Sequence, residues 1–280
     1  MKNILTIVCL SVSLLGKAQQ KPPLSSTPLT LGLTNAFFSK TLNEYRILNI
    51  YLPDGYNPKD TIKYPVIYLL DGSVDEDFIH ITGIVQYYSF EWIRILPKSI
   101  VVGIATVDRK RDFTFVSQLE KEKEKFPSSG HSDQFISFIE NELQPYIQQN
   151  FSVRNEKTII GQSLGGLLCT EILLKKPNLF HRYIIVSPSL WWDDASLLSH
   201  NTIPFENKEI YIGVGKEGLT PSVNPRVMEV DANLLVEKLN QLKYKNVKVY
   251  FDYLPEENHA TIMHQAVLNA FKLLSPNAKN

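Results

Sequence analysis

Apolar positions along the chain follow two alternating rhythms. Residues 45–52 alternate apolar and polar side chains and stop at Pro53-Asp54-Gly55, a turn signal, which predicts a half-buried strand. Residues 64–70 and 99–107 are almost continuously apolar, as strands covered on both faces are. Residues 134–151 instead space Phe135, Phe138, Ile139, Leu143 and Ile147 at a helical period, which predicts one helix. Further strands are predicted over 158–160, 183–187, 209–214 and 247–254, and further helices over 164–175, 228–242 and 261–274. Strands alternating with helices imply an α/β fold, with a mostly parallel central sheet and helices on both faces. No internal linker divides residues 31–280, so they are expected to form one domain. The most irregular stretch is 108–131, charged and ending in Pro127-Ser128-Ser129-Gly130. It is too long for a plain connection and is expected to cover part of a site.

Ahead of this domain the pattern changes. Lys2 precedes an apolar run over 4–15, and small residues follow at Gly16 and Ala18. That is the arrangement of a secretory signal, with cleavage expected after Ala18. Residues 19–30, rich in Pro, Ser and Thr, read as a leader segment. The apolar run is shorter than the ~20 residues that cross a bilayer. The expected location is secreted or periplasmic, with no membrane association after cleavage.

Composition narrows the partners. Lys and Arg total 29 and so do Asp and Glu, which leaves no electrostatic case for nucleic acid or an anionic membrane. Cys9 lies within the signal, so Cys169 is the remaining thiol and no internal disulfide is expected. The histidines are scattered without metal-ligand spacing. No metal or organic cofactor is therefore expected; the partner is a small molecule, and oligomeric state is left open.

The chemistry is concentrated at Gly161-Gln162-Ser163-Leu164-Gly165, which fits G-x-S-x-G between a predicted strand and a predicted helix. Glycines two before and two after let the backbone turn tightly past its neighbours, and the turn presents the serine hydroxyl beside a helix amino terminus. A serine needs a base within reach. His259 is the expected base, because it follows the last strand and precedes the last helix; His264 falls inside that helix. The acid should follow the penultimate strand, which points to Glu217, with Asp231 as runner-up. Two backbone donors for an oxyanion are expected: Leu164 N–H and, from Leu70-Asp71-Gly72-Ser73, Ser73 N–H, with Gly72 as the alternative.

From these residues outward, the chain resembles the "Putative esterase" family of α/β-hydrolases, the group containing esterase D, and within it the periplasmic siderophore trilactone esterases. The matching segments are residues 64–72, Arg109-Lys110-Arg111-Asp112, residues 160–166, Ser187-Pro188-Ser189-Leu190-Trp191-Trp192 and Glu257-Asn258-His259-Ala260. The resemblance implies an α/β-hydrolase fold and carboxylic ester hydrolysis, with Ser163 as nucleophile and His259 as general base. It further implies that Arg109 or Arg111 and the Trp191-Trp192 pair border the substrate. It departs from relatives that carry Gly-Glu-x-Glu after the penultimate strand, since Gly215-Lys216-Glu217 is followed here by Gly218. The expected activity is an exported serine esterase acting on siderophore lactones or phenolic esters. The rivals are an acyltransferase on the same scaffold, a non-catalytic binding protein and a cytosolic thioester hydrolase.

Overall fold

Among the described residues, eight strands form one sheet. They are β1 Gly32–Ser39, β2 Glu44–Tyr51, β3 Tyr64–Leu69, β4 Ile100–Ile104, β5 Val153–Gln162, β6 Arg182–Val186, β7 Lys208–Gly215 and β8 Val247–Leu254. Their spatial order is β1-β2-β4-β3-β5-β6-β7-β8. β2 pairs antiparallel with β1 and with β4, and every pairing from β4 to β8 is parallel. The structure is a computed structural model that describes residues 26–59 and 61–275. The chain divides into two units, Met1–Thr30 and Leu31–Asn280. The signal expected over 1–18 and the first part of the leader lie outside the described residues; residues 26–30 are exposed and without regular structure.

The helices are α1 Phe78–Tyr88, α2 Arg109–Phe113, α3 Glu120–Lys125, α4 Ser132–Phe138, α5 Gln144–Asn150, α6 Leu164–Lys175, α7 Ser196–Ser199, α8 Met228–Gln241 and α9 Ile262–Leu274. α1 and α9 pack with Ile67, Leu69, Val101, Ile160 and Ile184. α4, α6 and α8 pack with Val66, Tyr68, Val102, Ile159 and Ile185. Successive strand residues thus go to opposite cores, which is why the central strands carry no polar alternation.

The helix expected over 134–151 is interrupted. A π-helical turn, Ile139–Leu143, separates α4 from α5. Pro145 has no N–H to continue the ladder, and the register widens just before it. The apolar stripe survives, since Phe135, Phe138, Ile139, Leu143 and Ile147 are all buried. The segment 108–131 is not structureless. It holds α2 and α3, and the Asp108 carboxylate caps α2 by accepting from the N–H groups of Lys110 and Arg111. α2 is pinned to β2 by an ion network: fully buried Arg46 meets Glu44 and, at 2.7 Å, Asp112, and Arg111 meets Glu44 at 2.6 Å and Asp112 at 2.8 Å.

Candidate active site

Ser163 joins β5 to α6 with φ +59° and ψ −117°, a conformation that non-glycine residues rarely adopt. The turn closes because Gly161 lacks a side chain: a Cβ there would stand 2.5 Å from the Gly165 carbonyl oxygen. Ser163 N–H donates to the Val186 carbonyl at 3.0 Å, and Ser189 N–H donates to the Ser163 carbonyl at 2.9 Å. The strain of the elbow is therefore held by backbone bonds to β6 and the loop after it.

His259 stands on the loop between β8 and α9. Its Nε2 lies 3.0 Å from Ser163 Oγ and its Nδ1 lies 2.6 Å from Glu217 Oε2. The loop is stitched to the end of β7, where Lys216 N–H donates to the Glu257 carbonyl at 2.8 Å. Only glycine fits at position 215, since a Cβ would come 2.7 Å from the same Glu257 oxygen. Gln162 Nε2 donates to the His259 carbonyl at 2.5 Å, tying the His259 loop to the residue before Ser163.

Glu217 follows β7, and its side chain is 2% exposed. Its second oxygen accepts from Ser187 Oγ, and its own N–H donates to Glu229 of α8 at 2.9 Å. Burial pushes the Glu217 carboxyl up, but hydrogen bonds from His259 and Ser187 and the nearby imidazole outweigh it and hold it below the ordinary carboxylate value. An ionised acceptor keeps a proton on Nδ1 and turns the Nε2 lone pair toward Ser163. Asp231, the alternative acid, is buried in α8 and pairs with Arg226 at 2.7 Å rather than with His259. His264 lies in α9, its ring 4.9 Å from that of His80.

Among the described residues, the N–H of Leu164, the first residue of α6, and that of Ser73, on the loop after β3, donate to no backbone carbonyl. Gly72 is engaged instead, donating to the Ile104 carbonyl at 3.0 Å.

A shallow cleft of about 400 Å³ opens at Ser163 and His259, lined also by Asp71, Glu76, Asp77, Arg109 and Gln162. Arg109 reaches the cleft, but its charge is committed: Nε donates to Asp71 at 2.9 and 3.0 Å, and Nη2 donates to the Gln162 carbonyl at 3.0 Å. Arg111 is absorbed in the Glu44–Arg46–Asp112 network. The two tryptophans lie in the core rather than in the cleft wall: Trp191 is 8% and Trp192 2% exposed, and Trp192 Nε1 donates to the Phe115 carbonyl at 2.9 Å. The Trp192 ring packs beside Phe126, with centroids 5.9 Å apart, and beside Trp191 at 6.2 Å. Burial, with Asp71 and Glu76 adding to it, pushes the Asp77 carboxyl up to about 6. Ser187, Ser189, Asp71 and Asp77 were not singled out from residue type; the Ser-Pro-Ser turn after β6 was visible only as part of a matching segment.

The family described as Putative esterase matches residues 39–267. The chain belongs to that family. As a Putative esterase member it is a carboxylic ester hydrolase of the α/β-hydrolase fold. It is 28% identical over 265 residues to the ferri-bacillibactin esterase BesA of Bacillus subtilis, covering 89% of this chain and 91% of that one. Among solved structures, an IroE-like serine hydrolase from Shewanella oneidensis superposes with a TM-score of 0.75 at 28% identity, covering 86% of this chain and 78% of the other. The BES protein from Bacillus cereus gives a TM-score of 0.74 at 26% identity, covering 91% and 98%. No helix among the described residues is long and apolar enough to cross a membrane.

Proposed function

We propose that this esterase works by acyl transfer through Ser163. His259 accepts the Ser163 proton as Oγ attacks the ester carbonyl, and Glu217 holds the imidazole and stabilises its charged form. The N–H groups of Leu164 and Ser73 receive the oxyanion. His259 then protonates the leaving alcohol and, in the second half, takes a proton from water as the acyl group is released. The observation that carries this reading is the unbroken run from Ser163 Oγ to His259 at 3.0 Å and from His259 to Glu217 at 2.6 Å.

We assign the substrate to siderophore trilactones or related phenolic esters, and the site of action to the periplasm or exterior after loss of residues 1–18. The substrate reading is supported by relatives named as siderophore esterases, including a triacetylfusarinine C esterase of Aspergillus fumigatus that is 37% identical over 84 residues. The export reading rests on the charged start, apolar run and small residues of the first 18 positions.

Ser163→Ala should lower turnover of a p-nitrophenyl short-chain ester by roughly 10⁴ to 10⁶. Retention of most activity would remove the mechanism. A parallel screen of a siderophore trilactone, a feruloyl ester and a short acyl ester decides the substrate class; hydrolysis of the short acyl ester alone would remove the siderophore assignment.

A further inference from the structure

The Ser-Pro-Ser turn after β6 reaches both ends of the Ser163–His259–Glu217 run. Ser187 Oγ donates to Glu217, and Ser189 Oγ lies 3.2 Å from Ser163 Oγ. Ser189 is 2% exposed, and its backbone N–H is fixed on the Ser163 carbonyl at 2.9 Å. Its hydroxyl is thus carried by the same loop that braces the elbow, and it is not a loose surface group.

The direction of the Ser189–Ser163 hydrogen bond follows from its neighbours. Glu217 keeps the imidazole proton on Nδ1, so Nε2 can only accept. The single Ser163 hydroxyl proton is drawn to Nε2 at 3.0 Å. Ser163 Oγ then offers Ser189 only lone pairs, and Ser189 must be the donor. We propose that Ser189 is a further catalytic residue, donating a hydrogen bond to the nucleophilic oxygen whenever that oxygen carries charge. This rests on Ser163 being the nucleophile, as proposed above.

Oγ gathers negative charge twice in a turnover. It does so as its proton passes to His259 and the bond to the acyl carbon forms. It does so again when water has added to the acyl-enzyme and the carbon–Oγ bond breaks, before His259 returns the proton. No proton leaves Ser189 in either step. Its hydrogen bond becomes charge-assisted at both moments and is weak in the neutral acyl-enzyme, so it favours the transition states over the ground states.

The test uses Ser189→Ala and Ser189→Cys, each compared with wild type and Ser163→Ala. Three measurements are made: steady-state hydrolysis of p-nitrophenyl acetate, the rate of labelling by a fluorophosphonate, and the melting temperature. Labelling isolates attack by Ser163 from later steps. Ser189→Ala should lower kcat about 10- to 100-fold with KM nearly unchanged, and slow labelling by a similar factor. Ser189→Cys, a near-isosteric but weak donor, should fall between the two. Wild-type kcat and labelling rates in Ser189→Ala would overturn the inference, as would losses in proportion to a fallen melting temperature that Ser189→Cys restores in full. Labelling of Ser163→Ala at the wild-type rate would instead remove the proposed nucleophile, and with it both readings.

Discussion

Arg109 and Asp71 form a two-point contact in the cleft that holds Ser163: the guanidinium Nε lies 2.9 and 3.0 Å from the two carboxylate oxygens. The same guanidinium holds the Gln162 carbonyl at 3.0 Å. Asp71 is two residues before Ser73, and Gln162 is two residues before Leu164. Arg109 therefore clamps, at matching offsets, the two loops that carry the proposed oxyanion donors. On this reading its task in the cleft is to brace those loops. Arg109→Met should lower kcat of a neutral ester roughly 10- to 100-fold with little change in KM, because donors misplaced by a fraction of an ångström are felt mainly in the transition state. Steady-state kinetics decides the matter: a raised KM with intact kcat would mean direct substrate contact instead.

Glu217 and Asp231 are separated by one experiment. Glu217→Gln preserves the shape but not the charge that fixes the imidazole, and kcat should fall roughly 10² to 10⁴-fold. Asp231→Asn breaks the pair with Arg226 and should cost stability, read from a urea midpoint, while kcat of the folded protein stays within a few-fold of wild type. The reverse pattern would move the acid to Asp231.

Asp77 links the cleft to pH. Its carboxyl sits at about 6 when folded, against an ordinary 3.8, so between those values the folded chain holds a proton that the unfolded chain has lost. Stability contributed by this group is therefore lost as pH rises through that window. Asp77→Asn should be more stable than wild type above pH 6, by on the order of 1 to 3 kcal/mol, with the difference shrinking toward about pH 4. Chemical unfolding at the two ends of the window measures it; an equal difference at both would assign the effect to packing.

Cys169 is fully buried against the elbow, and desolvation pushes its thiol well above the ordinary value. In protein lacking residues 1–18, and with them Cys9, it should resist a chromogenic disulfide reagent when native and react at once in urea. Rapid reaction without denaturant would mean that α6 opens readily.

The central part of the fold was legible because its strands are apolar runs between helical periods. The 247–254 strand and the 164–175 helix match β8 and α6 residue for residue. β1 was missed, since this edge strand leaves Leu33 and Phe38 exposed and so shows no clean alternation. α1 was missed too, lying behind the acidic stretch Asp75-Glu76-Asp77. At the site, Ser163, His259 and Glu217 could be chosen because each occupies a defined place after a strand. Arg111, Trp191 and Trp192 have no such mark: whether a cation or a ring faces a cleft depends on which partner it finds, and Arg46 lies more than sixty positions before Asp112, the α2 residue that it holds. Ser189 was invisible for the same reason, since a serine's role is set by what stands within hydrogen-bond distance.

β8 is the outermost strand on its side of the sheet, and the imidazole hangs from the loop that leaves it. Edge elements open more readily than the interior. Fraying at that margin would part His259 from Ser163 while α6 and the two apolar layers remain intact. Turnover should then report the integrity of one border of the molecule, and mild denaturant should silence the enzyme well before its bulk fluorescence changes.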